Sequence, residues 1–268
     1  MALRFTVLSS GSTGNAILVA NDEARVLIDA GLSAKRIEQL LSEREVAANE
    51  LSAVFVTHEH TDHIKGLGAL ARKYRLPVYA NEATWEELDR QIGEIADDNR
   101  RVIPTGSVVE IHSISVESYA ISHDAAEPVG YCFYEKDEKL GLATDLGYMS
   151  DKVKEQLRNC DALILESNHD IELLRMGRYP WNIKRRILSD IGHLSNEAAA
   201  EGLYEILSSR MRRVYLAHLS RDHNMLDLAR MTVSGVLEQY GVRCGENGPA
   251  LMDTYYDRPT KWDWLREA

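Results

Sequence analysis

The sequence predicts an α/β protein in which two β-sheets pack together and helices cover both outer faces, a four-layer αββα sandwich. Three observations lead there. The N-terminal part alternates short apolar runs with amphipathic stretches, a β-α-β-α rhythm. From Val102 to Thr144 apolar residues recur at every second position, the period of strands. Beyond Thr144 helical spacing returns, interrupted by further strand-like runs.

Taken in order, Leu3–Leu8, Ala16–Ala20 and Ala24–Ile28 read as strands, separated by the turn-rich Ser9–Asn15 and by Asn21 and Asp22. Ser33 can cap a helix to about Ser42, with Ile37, Leu40 and Leu41 on one face. Val54–Thr57 is a short strand, Ile64–Tyr74 a helix and Pro77–Ala80 a strand; Asn81 then caps a helix holding Trp85 and Leu88. Val108–Ile111, Ile114–Ile121, Val129–Glu135 and Leu140–Thr144 are the period-two strands. Asp151–Arg158, Asn182–Asp190, Asn196–Ser208 and Met225–Tyr240 carry helical spacing, with strands at Ala162–Glu166 and Val214–Ala217. Trp262 and Trp264 read as packing residues. No linker, repeat or low-complexity tract cuts the chain, so one domain over residues 1–268 is expected, with a small helical insertion around 168–192.

The chain has 268 residues, 44% hydrophobic and 27% charged, which is enough to bury a substantial core. Its three cysteines, Cys132, Cys160 and Cys244, are scattered and never form a CxxC pair. A disulfide framework and a cysteine zinc finger are thereby disfavoured, and the pattern suits a reducing cytoplasm. The opening MALRFTVLSSGSTGNA lacks the apolar length of a secretory signal, and no run approaches the ~18 apolar residues of a membrane span. A net charge of −11 argues against a surface that coats nucleic acid everywhere, but leaves room for a local basic patch.

The chemistry concentrates at His58-Glu59-His60-Thr61-Asp62-His63, directly after the strand Val54–Thr57. Four potential metal ligands, His58, His60, Asp62 and His63, lie within six residues of a chain that has nine histidines. Imidazole and carboxylate donors suit zinc, manganese or iron better than calcium or magnesium. His58 and His60 can point to one side of an extended segment, whereas Asp62 and His63 follow the turn into a helix. That division favours two metals over one.

HxHxDH after an apolar strand resembles the signature of metallo-β-lactamase-fold hydrolases. The rest of that pattern is found in the family's order. Asp29 closes a strand in LIDAG, His123 follows one in ISHDA, Asp145 follows one in LATDLG, and His218 ends one in YLAHLS. The resemblance implies that His58, His60 and His123 bind one metal, that Asp62, His63 and His218 bind the other, and that Asp145 bridges them. It implies that Asp29 orients the ligand loop without touching metal. Two cations a few Å apart can hold a hydroxide between them and stabilise charge on a leaving oxygen.

Fold alone does not select a substrate. An aspartate at position 145 with histidines on both sites resembles the phosphodiesterase and thioesterase branches, and the absence of any flavin-domain resemblance sets aside the oxidoreductase branch. Three segments point towards nucleic acid. The loop Ser9–Asn15, with Ser10, Ser12 and Asn15, can offer N–H groups to a phosphate or be an ordinary turn. Gly177–Arg186 mixes Tyr179 and Trp181 with Arg178, Lys184 and Arg185, either to contact bases and phosphates or as a solvated basic face. His193, in a turn read as a helix N-terminus, can contact an anion or protonate a leaving group, or be structural.

LSSGSTGNA, SHD, ESNHD, GRYPW, SDIGHLSN and AHLS together resemble the bacterial YycJ/WalJ-type metallo-hydrolases, related to the RNase Z and RNase J nucleases. The resemblance runs from about residue 3 to 256. It implies a cytoplasmic, two-metal nuclease that uses manganese or zinc, with iron also compatible, and removes nucleotides from DNA in the 5′-to-3′ direction. Catalysis is expected to depend on Asp62 and His193. Ser10, Ser12, Asn15, Arg178, Lys184, Arg185, His193 and Ser220 are expected to contact substrate, and His169 to stand behind the metal ligands. His223 and Asn224 are further candidates to line the cleft. The gap between Asp145 and His218 holds only a small helical insertion, and no long tRNA-gripping arm is present, which argues against recognition of tRNA or long structured RNA; DNA rather than RNA is what the resemblance implies. The alternatives are a small-molecule thioesterase or lactonase of the same fold, and a non-catalytic regulatory binding protein.

Overall fold

The computed structural model describes residues 2–266, which fall into two compact units. The first takes the chain up to Ala120, residues 125–138 and the chain from Tyr255 onward; the second takes Ile121–Asp124 and Lys139–Thr254.

The first unit begins with β1 (Arg4–Ser9), β2 (Ala16–Ala20) and β3 (Arg25–Ile28), paired antiparallel in sequence order. β4 (Ala53–Phe55), β5 (Val78–Ala80) and β6 (Arg100–Val102) then extend the sheet in parallel from β3. Parallel neighbours need crossover connections, which helices supply. They are α1 (Ala34–Ser42) between β3 and β4, α2 (Thr61–Ile64) and α3 (Leu67–Tyr74) before β5, and α4 (Glu82–Gln91) before β6. Ser33 Oγ and Asn81 Oδ1 cap α1 and α4 by accepting the Arg36 and Thr84 N–H. Ile37, Leu40 and Leu41 of α1, Leu67 and Leu70 of α3, and Trp85 and Leu88 of α4 share one core with Leu18, Leu27 and Val54 of the sheet. The opposite face of β4 carries Phe55, stacked on Tyr79 at 4.6 Å and edge-on to Tyr131 at 5.6 Å. The antiparallel strands β7 (Val108–Ile111), β8 (Ile114–Ala120) and β9 (Val129–Glu135) also belong to this unit.

In the second unit β10 (Glu138–Ala143, which enters this unit at Lys139), β11 (Ala162–Glu166), β12 (Arg213–Ala217) and β13 (Ala250–Asp253) pair in parallel. β11 is buried along its whole length, which explains its uninterrupted apolar run. The helices are α5 (Asp151–Leu157), α6 (Ile171–Met176), α7 (Trp181–Ile187), α8 (Asn196–Ile206) and α9 (Leu226–Gln239). Ser150, Asp170 and Ser195 cap α5, α6 and α8.

Several boundaries differ from expectation. The Ile64–Tyr74 helix is two, broken at Lys65 and Gly66, and β4 stops at Phe55, so that Thr57 lies in the loop between β4 and α2. The sequence reading lacks β6, β13 and β14 (Asp263–Trp264), the last of which pairs antiparallel with β1, and sets no separate bounds for α6 within its helical insertion around 168–192. Trp262 packs on the core as expected, but Trp264 is 42% exposed, and the Arg4 guanidinium lies over both rings. Among the described residues no helix is long and apolar enough to cross a membrane.

Candidate metal centre

Parallel strands in register end at the same sheet edge, and the candidate ligands sit at such edges. In the first unit Asp29 follows β3 and the His58–His63 loop follows its neighbour β4. Asp29 is buried and takes a left-handed conformation, φ 59°, which turns its carboxylate back across the strand ends. It accepts the Thr57 N–H at 2.9 Å, the Thr57 hydroxyl at 2.9 Å and His63 Nδ1–H at 2.7 Å. The Thr57 hydroxyl also lies 3.0 Å from His58 Nδ1. One carboxylate thus fixes two imidazoles, directly and through Thr57, and defines His63 as the Nδ1–H tautomer with Nε2 turned the other way. The His58 ring lies 4.6 Å from that of His60 and 4.1 Å from that of His63. His63 Nε2 is 3.7 Å from Asp62 Oδ2.

The Ser9–Asn15 loop is built into this arrangement. The Asn15 N–H donates to Asp62 O at 2.8 Å, its Nδ2 is 3.1 Å from His63 Nε2, and its Oδ1 accepts the Gly11 N–H at 2.9 Å. Gly31 N–H donates to Asn15 O at 2.9 Å, and a Cβ on Gly31 would stand 1.7 Å from the Asp62 carbonyl oxygen. Asn15 is therefore buried and committed to holding the ligand loop; Ser10 is buried, and Ser12 is exposed.

The second unit presents another set at the ends of β10, β11 and β12. Asp145 and His218 both follow their strands in the left-handed region, at φ 59° and 55°. Between them in the sheet, β11 ends in Glu166, which is fully buried. Glu166 Oε1 accepts His193 Nδ1–H at 2.8 Å and His218 Nδ1–H at 3.0 Å, while Oε2 accepts the Leu146 and Leu194 N–H at 3.0 Å each. Burial alone would push this carboxyl up, but the charge and hydrogen bond of His193 and the bond from His218 outweigh it and hold it at about 2. Asp145 Oδ1 lies 3.4 Å from His218 Nδ1, 3.7 Å from His193 Nδ1 and 3.8 Å from His123 Nε2. His123 Nδ1–H donates to Gly192 O at 3.1 Å. His193 itself lies before the Ser195 cap of α8, not in the helix N-terminal turn expected for it, and its imidazole is oriented by Glu166.

Donor atoms of Asp145, Glu166, His193 and His218 lie within 4.8 Å of one another, and these imidazoles and carboxylates fit a divalent transition metal. Glu166 already accepts four N–H donors, so it orients the side chains around it. Asn168 Nδ2 donates to His218 O at 2.8 Å, and His169 stands behind it, Nδ1 3.3 Å from Asn168 Oδ1. Burial lowers His169 to about 4, so its imidazole is neutral near pH 7.

Among the expected substrate contacts, Arg178 and Arg185 are exposed. Lys184 instead turns inward, buried, with Nζ donating to Arg175 O at 2.6 Å. Ser220 donates its backbone N–H to Asn168 O at 2.8 Å. His223 and Asn224 are buried, and Asn224 Nδ2 donates to Ser167 O at 2.9 Å and to Asn168 O at 3.1 Å. Sequence reasoning missed Thr57 and Glu166. Glu166 left a signal, a lone carboxylate ending the apolar strand ALILE; Thr57 left none.

A model of the β-lactamase superfamily domain matches residues 24–219. The chain is 52% identical over 265 residues to a protein named exodeoxyribonuclease YycJ of Bacillus anthracis, covering 99% of this chain and 100% of that one. It is 40% identical over 247 residues to one named exodeoxyribonuclease WalJ of Streptococcus pneumoniae serotype 2 (strain D39 / NCTC 7466), covering 91% and 92%. The metallo-β-lactamase fold protein YhfI of Bacillus subtilis superposes with a TM-score of 0.74 at 17% identity over 97% of this chain and 100% of its own, a likeness of fold. The chain thus belongs to the β-lactamase superfamily and, within it, to the YycJ and WalJ group of metallo-β-lactamase-fold hydrolases.

Proposed function

We propose that this chain is a metal-dependent phosphodiesterase that degrades DNA from the 5′ end, acting in the cytoplasm as one catalytic domain. His58, His60, Asp62, His63, His123, Asp145 and His218 would hold two divalent cations, manganese or zinc. What carries the reading is the oriented imidazole and carboxylate set after β10, β11 and β12, in a chain half identical to a protein named for exodeoxyribonuclease activity. Divalent cations, when bound, supply Lewis acidity: they lower the pKa of water and stabilise charge developing on phosphoryl oxygens.

The chain's own residues do the rest. Asp29 and Thr57 fix His63 and His58, and Glu166 fixes His218 and His193. With Nδ1–H given to Glu166, His193 in its doubly protonated form would present Nε2–H to a phosphate oxygen or pass that proton to the departing 3′ oxygen, leaving the neutral imidazole. Asp62→Asn removes one carboxylate ligand while keeping its shape. It should lower DNA cleavage at least about a hundredfold with secondary structure intact. Cleavage by Asp62→Asn at the wild-type rate would show the mechanism to be wrong.

A further inference from the structure

Residues 173–189 hold five lysines and arginines and no carboxylate, in a chain of net charge −11. Three of these cations are engaged locally. Lys184 is bonded to Arg175 O, Arg186 pairs with Asp124, and Arg175 pairs with Glu172. Arg178 and Arg185 are exposed and make no ion pair among the described residues. Between them stands Trp181, 60% exposed at the start of α7. An indole left in water beside two uncommitted guanidinium groups has the composition of a nucleic-acid platform: a flat face for bases and charge for phosphates.

The segment is also held rigidly. Tyr179 packs edge-on against His223 at 4.5 Å and donates its hydroxyl to Asp222 at 2.7 Å. Gly177 lies so close that a Cβ there would be 2.2 Å from His223 Nε2. At the other end Ile187 O accepts the His193 N–H at 3.0 Å, and Arg186 grips Asp124, the neighbour of His123. α7 is seven residues long, about 10 Å, so Trp181 stands one short helix away from the His193 loop.

We propose that α7 and the loop that precedes it form a landing platform for a single strand of nucleic acid, on which Trp181 stacks against a base and Arg178 and Arg185 take phosphates. It rests on the nuclease reading and adds a specificity to it. Stacking needs a base freed from its helix, so the platform engages single-stranded or frayed ends and not a closed blunt duplex. Every base offers a face, so the contact is indifferent to sequence.

The test is fluorescence anisotropy of the full-length, manganese-loaded protein with a short 5′-phosphorylated, 3′-labelled phosphorothioate strand that resists cleavage. Trp181→Ala should weaken binding about tenfold, and Trp181→Phe should stay within about threefold of wild type. Arg178→Gln with Arg185→Gln should reduce the slope of log affinity against log salt by about 1–2. Circular dichroism shows that each variant is folded, and Arg243→Gln, outside the segment, should bind as wild type does. If wild type binds the strand and Trp181→Ala binds it equally well, the platform is wrong and the nuclease reading stands. If wild type neither binds this strand nor cuts its unmodified counterpart, the nuclease reading has failed and the platform with it.

Discussion

Glu166 sits at the end of a strand with no exposure, where burial would push its carboxyl up, yet the charge and hydrogen bond of His193 and the bond from His218 hold it low; two backbone N–H groups also converge on its oxygens. A neutral amide of the same shape cannot serve all four donors, since its Nε2 would face N–H groups. Glu166→Gln should therefore cost about 3 kcal/mol of stability. Metal affinity or activity should fall about 10–100-fold, measured by chemical denaturation and by metal titration. His169 gives a pH signature. Its folded value of about 4 is below the ordinary 6.5, so the unfolded chain binds the proton more tightly. Its contribution is complete above pH 6.5 and is lost as pH falls towards 4, on the order of 3 kcal/mol in all. Denaturation midpoints across that window should fall less steeply in His169→Gln than in wild type.

At the scale of elements, the recurring device is a strand that ends in a left-handed non-glycine residue. Asp29, Asp145 and His218 all do this, and backbone strain of about 1 kcal/mol each is borne where a side chain must face the strand ends. The loop after β4 is locked by close backbone approach, so Gly31→Ala, with its Cβ driven against Asp62 O, should destabilise by at least about 2 kcal/mol. A thermal midpoint within a degree of wild type would contradict that packing. The long apolar strands and capped helices were legible because burial, period and cap coincide in them. β6, with two exposed positions and two arginines, and α6, with one buried residue, present no such pattern. β14 is two residues long and owes its existence to pairing with β1, a contact that local sequence does not encode.

For the whole molecule, the HxHxDH run was legible from its residues, while Asp29, His123, Asp145 and His218 became legible only as an ordered set at strand ends. Glu166 and Thr57 stayed hidden because their part is to hold other side chains, which is a property of the folded chain. So many buried donors also link metal to stability. Chelation should lower the melting temperature by several degrees, and manganese or zinc should restore it; a chelated protein that melts unchanged would mean that no structural metal is bound. The most direct measurement is cleavage, in manganese, of duplex DNA in which one strand is labelled at its 3′ end and carries a 5′ phosphate on a single-stranded 5′ overhang. The account predicts a ladder of progressively shorter labelled fragments that is absent with Asp62→Asn. Intact DNA in both reactions, or an equal ladder from the variant, would contradict it.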